Sequence, residues 1–482
     1  MKDQAVNPYL PSWEYIPDGE PHVFGDRVYV YGSHDHFGAP IFCVGDYVCW
    51  SAPVNDLSDW RCDGVIFRKK QDPKNHLGLR LLFAPDVCQG PDGRFYLYYA
   101  FDFMGIMGVA VSDRPDGPYE FLGHIQHLDG ILWGRRKGDQ FPFDPGILAD
   151  DDGRIWLYSG FYTPTPRMVT GMQKLRNDGG VVVELEPDMM TIRQEPKLLF
   201  PKTGPGSFAG HEFFEASSIR KDQGRYLFVY SSRHNHELCY AESDRPDGGF
   251  VFKGTLVSQG DLFLNGNEDE NHAKNYLGNT HGGLLHLGDD WYIFYHRQTN
   301  QHSYSRQACA EKLFVKPDGS FAQAEVTSCG LNGGPLKGLG TYEARIACNL
   351  WSKDGTGRYD GSGVRKKLKD HPYFTQSGKD RESDPDQYIA NMRDGSVAGF
   401  KYFSLGEAGH ISVTCSGKGF GYLEVSTDEA FSHLSAEVAV NPHGNERETT
   451  SASFSSEAGT LPLYFRYRGS GAINFHFFSL LA

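Results

Sequence analysis

A short segment that occurs five times between residues 25 and 295 constrains the fold of this chain most. Each copy is a turn containing Gly or Asp, followed by a strand rich in Tyr, Phe, Trp and Val. The copies are Gly25–Tyr31, Asp92–Tyr99, Asp152–Tyr158, Gln223–Tyr230 and Gly288–Tyr295, spaced by 67, 60, 71 and 65 residues. Each interval has room for a four-stranded antiparallel sheet, and a fixed period of this size indicates one repeated unit. Radial packing of five such sheets predicts a five-bladed β-propeller.

A series of unrelated hairpins with a common turn is the alternative reading of the repeat. We favour the propeller because the copies share strand composition as well as turn chemistry. Beyond about residue 340 the pattern changes to short strands such as Ile411–Thr414, which predicts a β-sandwich. Gly330–Gly340, with five Gly, is the expected joint. The sequence thus predicts an all-β chain with a propeller over residues 1–335 and a jelly-roll-like β-sandwich over 336–482.

The charge and the cysteines narrow the classes of partner and compartment. The formal net charge of −14 argues against nucleic acid as a partner, although the same charge also serves simple solubility. No run of about 18 apolar residues is present, so we expect no membrane-spanning helix. The N-terminal residues lack the apolar run of a secretory signal. Nine scattered Cys without C-x-x-C pairs fit free thiols in a reducing cytoplasm. The oligomeric state is not predicted.

Three acidic residues stand at matching places in three of the repeats. Asp18, Asp144 and Glu215 lie seven, eight and nine residues before the turn of their repeat. The innermost strands of a propeller meet at one axis, so side chains at these places converge on one pocket. Glu215 follows two Phe residues, and a poorly solvated carboxyl group has a raised pKa and can donate a proton at neutral pH. Singly, an Asp before Gly or Pro is a common turn residue, but the repeated placement favours catalysis.

The motifs around these acids resemble those of glycoside hydrolase family 43. Asp18-Gly-Glu-Pro-His resembles the first-blade motif of the catalytic base, where the family more often has Asp-Pro. Asp144-Pro-Gly resembles the motif of a third acid that adjusts the pKa of the proton donor. Phe-Glu-Ala-Ser around Glu215 resembles the motif of the general acid. The resemblance covers residues 7 to about 330, and it implies an inverting hydrolase with Asp18 as base, Glu215 as acid and Asp144 as modulator.

Further positions gain an expected role from the same resemblance. Phe83-Ala-Pro resembles a second-blade Trp-Ala-Pro segment at the substrate, and Arg306 stands where the family often has an Arg that reaches the substrate. His281, in Thr-His-Gly-Gly, matches a fifth-blade His that commonly ligates Ca²⁺ or water near the axis, and no organic cofactor is implied. His34 and Asp35, at the end of the first repeated strand, either reach sugar hydroxyls or cap the strand.

The resemblance also suggests a substrate class. It implies hydrolysis of β-D-xylosides or α-L-arabinofuranosides in oligosaccharides from plant cell walls. A cytoplasmic enzyme would meet short imported oligosaccharides, so we expect it to act on their ends. Galactans, and a lectin-like propeller that binds sugar without cleaving it, stay open as alternatives, although a lectin has no need of a proton donor. Tyr388–Gly395 and Leu463–Tyr467 give the C-terminal region a weaker similarity to family 6 carbohydrate-binding modules. This region either binds carbohydrate or buttresses the propeller.

Overall fold

The regular structure of this chain is almost entirely β. The computed structural model describes residues 4–360, 368, 370–380 and 386–482. Within these ranges the helices are short 3-10 turns at Lys69–Gln71, Pro73–Asn75, Glu270–His272, Gly330–Asn332 and Ala344–Ile346. No helix among the described residues is long and apolar enough to cross a membrane.

Five sheets, antiparallel except for the parallel pair of β9 and β13, follow one another along the first 313 residues. The first contains β1 (Glu20–Phe24), β2 (Arg27–Tyr31), β3 (Tyr47–Pro53) and β4 (Arg61–Phe67), and the second contains β5 (Leu82–Gln89), β6 (Phe95–Phe101), β7 (Met107–Ser112) and β8 (Glu120–His124). The third contains β9 (Gln126–His127), β10 (Gly146–Ala149), β11 (Ile155–Ser159), β12 (Gly179–Leu185), β13 (Thr191–Ile192) and β14 (Lys197–Pro201). The fourth contains β15 (Phe213–Asp222), β16 (Arg225–Ser232), β17 (Glu237–Ser243) and β18 (Val251–Ser258), and the fifth contains β19 (Leu284–Leu287), β20 (Asp290–Thr299) and β21 (His302–Leu313).

The innermost strands of these sheets form a closed ring. Going round, β1 contacts β5, β5 contacts β10, β10 contacts β15, β15 contacts β19, and β19 contacts β1. The predicted five-bladed propeller is therefore confirmed. Gly19 pairs with Gly282 where the first and fifth blades meet. A side chain at Gly282 would overlap the carbonyl of Phe294, so this close approach requires glycine.

The repeated segments supply the packing between blades. They form β2, β6, β11, β16 and β20, the second strand of each blade, and both faces of these strands are buried. In β6, Leu97 and Tyr99 pack towards the first blade, while Tyr96 and Tyr98 pack towards the third. Each of the five interfaces between neighbouring blades has one such core cluster. The two buried faces explain why these segments are apolar and aromatic without a polar alternation.

Two blades differ from the predicted four strands, because the third sheet has six strands and the fifth has only three among the described residues. The outer edge of β21 is instead contacted by the N-terminal segment. The backbone N–H of Tyr9 donates to the Ala308 carbonyl (3.2 Å), and the Asn7 side chain exchanges two hydrogen bonds with the Ala310 backbone. Residues 7–9 therefore take the place of the missing strand and close the ring.

The C-terminal residues form a second sheet system with a core of its own. Its strands are β22 (Leu336–Lys337), β23 (Gly340–Glu343), β24 (Asn349–Trp351), β25 (Tyr373–Ser377), β26 (Asp386–Met392), β27 (Val397–Leu405), β28 (His410–Ser426), β29 (Ala436–Val440), β30 (His443–Ser453) and β31 (Gly459–Leu481). The long β31 pairs with β23, β26, β27 and β28, so the sheet wraps around one apolar core. Tyr276 of the propeller is part of that core. The division into two domains at residue 335 and the similarity to carbohydrate-binding modules stay predictions.

Candidate active site

A cavity of about 160 Å³ opens at the propeller axis and receives one predicted side chain from each blade. Its lining includes Asp18 just before β1, Phe83 in β5, Asp144 just before β10, Glu215 in β15 and His281 just before β19. The three acids that the repeat placed at equivalent positions thus share one pocket. The buried Asp18 and Asp144 lie deeper than Glu215, which is half-buried.

Unusual backbone conformations aim the acids at the axis. Asp18 (φ 60°) and Asp144 (φ 42°) both adopt positive φ, which non-glycine residues rarely do outside turns and functional sites. The backbone N–H of Ala216 donates to the Asp144 carboxylate (3.2 Å), and this contact ties Asp144 to the residue after Glu215. Gly146 permits this proximity, because a side chain there would overlap the backbone of Ser217.

Asp18 is held as an ion by its neighbours. Arg306 Nη1 donates to Asp18 Oδ1 (3.0 Å), and the buried Asp18 backbone N–H donates to His296 Nδ1 (3.2 Å). Burial alone would raise the pKa of Asp18, but the charge of Arg306 prevails and lowers it. Burial lowers the pKa of His296 to about 3, so its ring is neutral and can accept that N–H. Asp18 is therefore a carboxylate at neutral pH.

Glu215 and Asp144 have the opposite electrostatic character. Burial, reinforced by the nearby Asp144 carboxyl, raises the pKa of Glu215 well above its usual range. Burial also raises the pKa of Asp144 to about 7, with a further contribution from Asp18. The raised pKa of Glu215 agrees with the expectation from its Phe neighbours, and Phe214 lines the same cavity. A protonated Glu215 thus faces the same space as an ionised Asp18.

His34 and Asp35 do not reach the cavity, which corrects the expectation that they bind sugar hydroxyls. Asp35 is fully buried and accepts hydrogen bonds from Arg306 Nε (2.8 Å) and Nη2 (3.1 Å) and from the Cys43 backbone N–H (2.9 Å). His34 contacts the Asp46 carbonyl (2.8 Å) and a carboxylate oxygen of Glu14 (3.1 Å). Both side chains are structural, because buried partners already occupy their polar atoms.

Arg306 lies in the cavity wall, but its guanidinium is engaged with other protein side chains. It is 2% exposed, forms a double hydrogen bond with Asp35 and a single one with Asp18, and lies over the Phe42 ring. Asp35 thus positions Arg306, and Arg306 positions Asp18. Whether Arg306 also touches substrate stays a prediction.

The walls of the cavity are aromatic. Phe83 lies there as predicted, with edge-to-face contacts to Phe103 (5.3 Å) and Phe143 (6.0 Å). The other aromatic residues of the wall are Phe42, Phe161 and Phe214. The sequence predicted a substrate contact for Phe83 alone, although Phe143 and Phe214 directly precede Asp144 and Glu215. Such a wall excludes water and offers flat surfaces to the apolar face of a sugar ring.

Comparison with known proteins decides the family. Residues 16–321 match the sequence profile of glycosyl hydrolases family 43. The chain belongs to this family. A "Xylosidase/arabinosidase" of Thermoclostridium stercorarium is 45% identical over 487 residues, which span 100% of this chain and 99% of that protein. This family 43 protein is therefore a glycoside hydrolase.

Solved structures agree with the fold of this family 43 hydrolase. A β-xylosidase/α-arabinofuranosidase from a compost microbial metagenome, crystallised with xylotriose in a calcium-free form, is 25% identical with a TM-score of 0.52. It covers 67% of this chain and 98% of its own. An arabinoxylan arabinofuranohydrolase from Bacillus subtilis matches 98% of this chain and 97% of its own, with 20% identity and a TM-score of 0.51. The latter similarity concerns the fold alone.

The axis of this family 43 hydrolase also offers two atoms to a cation. His281 lies between Asp144 (Nδ1 to Oδ2, 3.6 Å) and Glu20 (Nε2 to Oε1, 3.6 Å). His281 Nε2 and Glu20 Oε1 are both buried without a hydrogen-bond partner among the described residues. The other oxygen of Glu20 accepts from Ser218 Oγ (2.9 Å) and Arg220 Nη2 (2.7 Å). One imidazole and one carboxylate oxygen fit Ca²⁺ only if water supplies its remaining ligands.

Sequence reasoning missed several residues of the site. Glu20 lies inside the first-blade motif, so its proximity to Asp18 was a usable signal. Asn235, Asn279 and Asp360 also line the cavity. Asn235 belongs to the loop between β16 and β17, and Asp360 comes from the C-terminal part of the chain. No local pattern marks these three residues, because only the folded chain brings them to the axis.

Proposed function

We propose that this family 43 glycoside hydrolase cleaves β-D-xylosides or α-L-arabinofuranosides by inversion, with Asp18 as general base and Glu215 as general acid. One observation carries the proposal: two carboxyl groups of one cavity have pKa values shifted in opposite directions. Environments that separate the pKa values of paired acids are the signature of an acid and base assignment.

The roles follow from the charge states. The ionised Asp18 can take a proton from a water molecule as that water attacks the anomeric carbon. The protonated Glu215 can give its proton to the departing oxygen on the other side of the ring. The negative charge of Asp144 disfavours ionisation of Glu215, so it keeps this proton donor protonated. Inversion requires room for the water, so we expect Asp18 and Glu215 to be about 6.5–9.5 Å apart when substrate is bound.

Two observations support the substrate class and the mode of attack. The relative from Thermoclostridium stercorarium, described as a xylosidase/arabinosidase, is similar along the whole chain. The cavity of about 160 Å³ is smaller than the roughly 300–1,000 Å³ of typical ligand pockets, so it suits one sugar ring rather than a run of rings. We therefore propose exo action on the end of an oligosaccharide.

The decisive experiment follows the anomeric proton by NMR during hydrolysis of xylobiose. We expect the first-formed xylose to have the configuration opposite to that of the bond cleaved, followed by mutarotation. Release with retained configuration would contradict the role of Asp18. A panel of 4-nitrophenyl glycosides then compares kcat/KM for the β-xyloside, the α-arabinofuranoside and the β-galactoside. A preference for the β-galactoside would overturn the proposed substrate class.

We also propose that His281 and Glu20 can hold Ca²⁺ at the axis, where the ion would supply positive charge beside the buried carboxylates. The support is that His281 Nε2 and Glu20 Oε1 are buried and have no hydrogen-bond partner among the residues that the structure describes. Metal analysis after chelation and dialysis against Ca²⁺ should find one ion per chain in the wild type and none in His281→Ala. Burial disfavours a charged His281, but the neighbouring carboxylates prevail and raise its pKa to about 9. A wild-type protein that retains no Ca²⁺ would therefore mean that a protonated His281, and not a metal ion, neutralises Glu20.

A cytoplasmic location is proposed on chemical grounds. All nine cysteines are free thiols, and seven of them are buried. Such thiols are typical of a reducing compartment. Fractionation of cells of the source organism, with enzyme assay of each fraction, tests this proposal.

A further inference from the structure

A segment of the C-terminal region lies across the face of the propeller that carries the cavity. The Leu277 N–H donates to the Gly357 carbonyl (2.9 Å), and the Tyr359 N–H donates to the Leu277 carbonyl (2.8 Å). The Tyr359 ring stacks on that of Tyr276 at 5.4 Å between centroids. Residues 276–281 lead directly to Asn279 and His281 of the cavity. The C-terminal segment is therefore fixed to the same piece of chain that builds one side of the active site.

Asp360 at the end of this segment lines the cavity, and its carboxylate is held rigidly. Arg358 donates to both oxygens, from Nε to Oδ1 and from Nη2 to Oδ2, each at 2.9 Å. Asn235 Nδ2 donates to Oδ2 (3.1 Å). Arg358 is itself anchored by Glu270 (2.8 Å) and by the His234 carbonyl (2.8 Å). An ionised carboxylate has about four acceptor sites, and these contacts use three of them.

The position of Asp360 relative to the proton donor indicates which part of a substrate it meets. Its partner Asn235 follows β16 in the fourth blade, and Glu215 lies on the neighbouring β15 of the same blade. The group that Glu215 protonates is the departing oxygen, so the leaving group must lie on the side of this blade. Asp360 is 17% exposed at its side chain, in contrast to the deeper Asp18 at 7%. Asp360 thus stands nearer to the mouth, where the leaving sugar lies.

We propose that Asp360 binds a hydroxyl of the leaving-group sugar, so that the C-terminal region completes the active site and sets its preference for saccharide over non-saccharide leaving groups. The proposal rests on the hydrolytic function above. A carboxylate with an acceptor site that no hydrogen bond from a described residue uses, preoriented by an arginine, is suited to accept a hydrogen bond from a sugar hydroxyl. Such charged hydrogen bonds are stronger than neutral ones. A nitrophenyl leaving group has no hydroxyl to offer.

The test compares two substrates with the same xylosyl group and different leaving groups. In Asp360→Asn and Asp360→Ala, kcat/KM for xylobiose should fall by roughly 10- to 100-fold, the range expected for loss of a hydrogen bond to a charged group. For 4-nitrophenyl β-xyloside it should stay within about twofold. Asp354→Asn, which changes an exposed acid of the same region outside the cavity lining, serves as the matched control and should alter neither value.

The outcomes separate this proposal from the underlying function. If the wild type cleaves neither xyloside, the same comparison is made between 4-nitrophenyl α-L-arabinofuranoside and an arabinofuranosyl xylo-oligosaccharide. A wild type that cleaves no member of either pair contradicts the proposed function and this proposal with it. If the wild type is active and both substrates suffer equally in Asp360→Asn, Asp360 acts through general structure or through the other sugar, and the proposal is wrong. Equal activity of all variants on xylobiose also overturns it. Thermal unfolding of each variant identifies any loss that comes from misfolding.

Discussion

At the scale of single residues, the main result is that the same functional group has two charge states in one cavity. Asp18 faces Arg306, whereas Glu215 faces Phe214 and Asp144. A cation beside one carboxyl and an apolar wall beside the other are enough to separate their pKa values. The division of labour between acid and base is thus a property of their surroundings, and it can be tested at each residue separately.

The loss of kcat on removal of the proton donor should depend on the leaving group of the substrate. Glu215→Ala should lower kcat for xylobiose by about 10²–10⁴-fold, since its leaving oxygen needs a proton. For a substrate with an acidic phenol as leaving group, kcat of Glu215→Ala should fall much less. Asp18→Ala should lower kcat for both kinds of substrate, because the attacking water must be activated whichever group departs. Steady-state kinetics with a series of aryl xylosides measures the difference. A glycosyl azide of retained configuration from Glu215→Ala with azide would contradict inversion, since it requires a covalent intermediate.

The pH profile should report the same assignment. Activity needs Asp18 ionised and Glu215 protonated, so kcat/KM falls below the lowered pKa of Asp18 and above the raised pKa of Glu215. Asp144→Asn removes a negative charge that disfavours ionisation of Glu215. The pKa of Glu215 should fall, and the alkaline limb should move to lower pH by about 1 unit. Profiles of kcat/KM for wild type and variant measure this, and an unmoved alkaline limb would deny Asp144 its modulating role.

The placement of Asp18, Asp144 and Glu215 could be predicted because each stands at the same point of a repeat. Phe83 and His281 could be predicted from the resemblance of their motifs to those of family 43. His34 and Asp35 could not be judged in this way. Their partners, Glu14 and Arg306, are 20 and 271 residues away in the chain, and no local pattern reveals that these partners saturate them. Distant pairing also hid Asp360, because its neighbour Asn235 lies 125 residues earlier.

At the scale of elements, the fifth blade shows where the periodic pattern stops being informative. A repeat of turn and strand predicts four strands per blade, but the outer partner of β21 comes from residues 7–9, about 300 residues earlier. That segment includes Asn7 and Pro8 and has no strand pattern. The number of blades could therefore be predicted, whereas the way the ring closes could not.

The closure depends on one buried side chain. Asn7 Nδ2 donates to the Ala310 carbonyl (2.9 Å) and to Glu311 Oε1 (2.8 Å), and Asn7 Oδ1 accepts the Ala310 N–H (3.1 Å). Asn7→Ala removes these partners from the buried N–H and carbonyl of Ala310, whereas Glu311 Oε1 keeps its hydrogen bonds from the Thr327 N–H and the Tyr295 hydroxyl. Because two buried backbone groups lose a partner, the free energy of unfolding should fall by about 3 kcal/mol. Chemical denaturation measures the change, and the exposed Asn445→Ala is the control. A loss no greater than that of the control would show that the segment does not hold the ring.

At the scale of the whole molecule, a buried lysine joins the propeller to the C-terminal sheet. Lys401 of β27 is 3% exposed at its side chain and pairs with Asp261 (3.0 Å) and Glu325 (2.9 Å). Both acids belong to the stretch before residue 336. The contact, together with the Arg358 and Asp360 segment, shows that the two sheet systems pack against each other through charged as well as apolar groups.

Lys401→Met should be strongly destabilising, since it leaves two carboxylates without their cation. We expect a loss of about 3–5 kcal/mol in the free energy of unfolding. Lys418→Met, at an exposed position of the same region, is the control. Denaturation followed by fluorescence measures both. If Lys401→Met lowers the free energy of unfolding no more than the control does, the ion pairs of Lys401 do not stabilise the contact between the propeller and the C-terminal sheet. The apolar contacts alone then hold the two together.

The closure of the ring by residues 7–9 also determines when the propeller can be completed during translation. A ribosome adds about 5–20 residues each second. Asn7 therefore leaves it roughly 15–60 s before Ala310, the residue it must bond, has been made. During that interval the first four blades can form, but the propeller ring stays open. Residues 7–9 cannot pair until β21 has been translated. The propeller ring can close only after Ala310 has been translated.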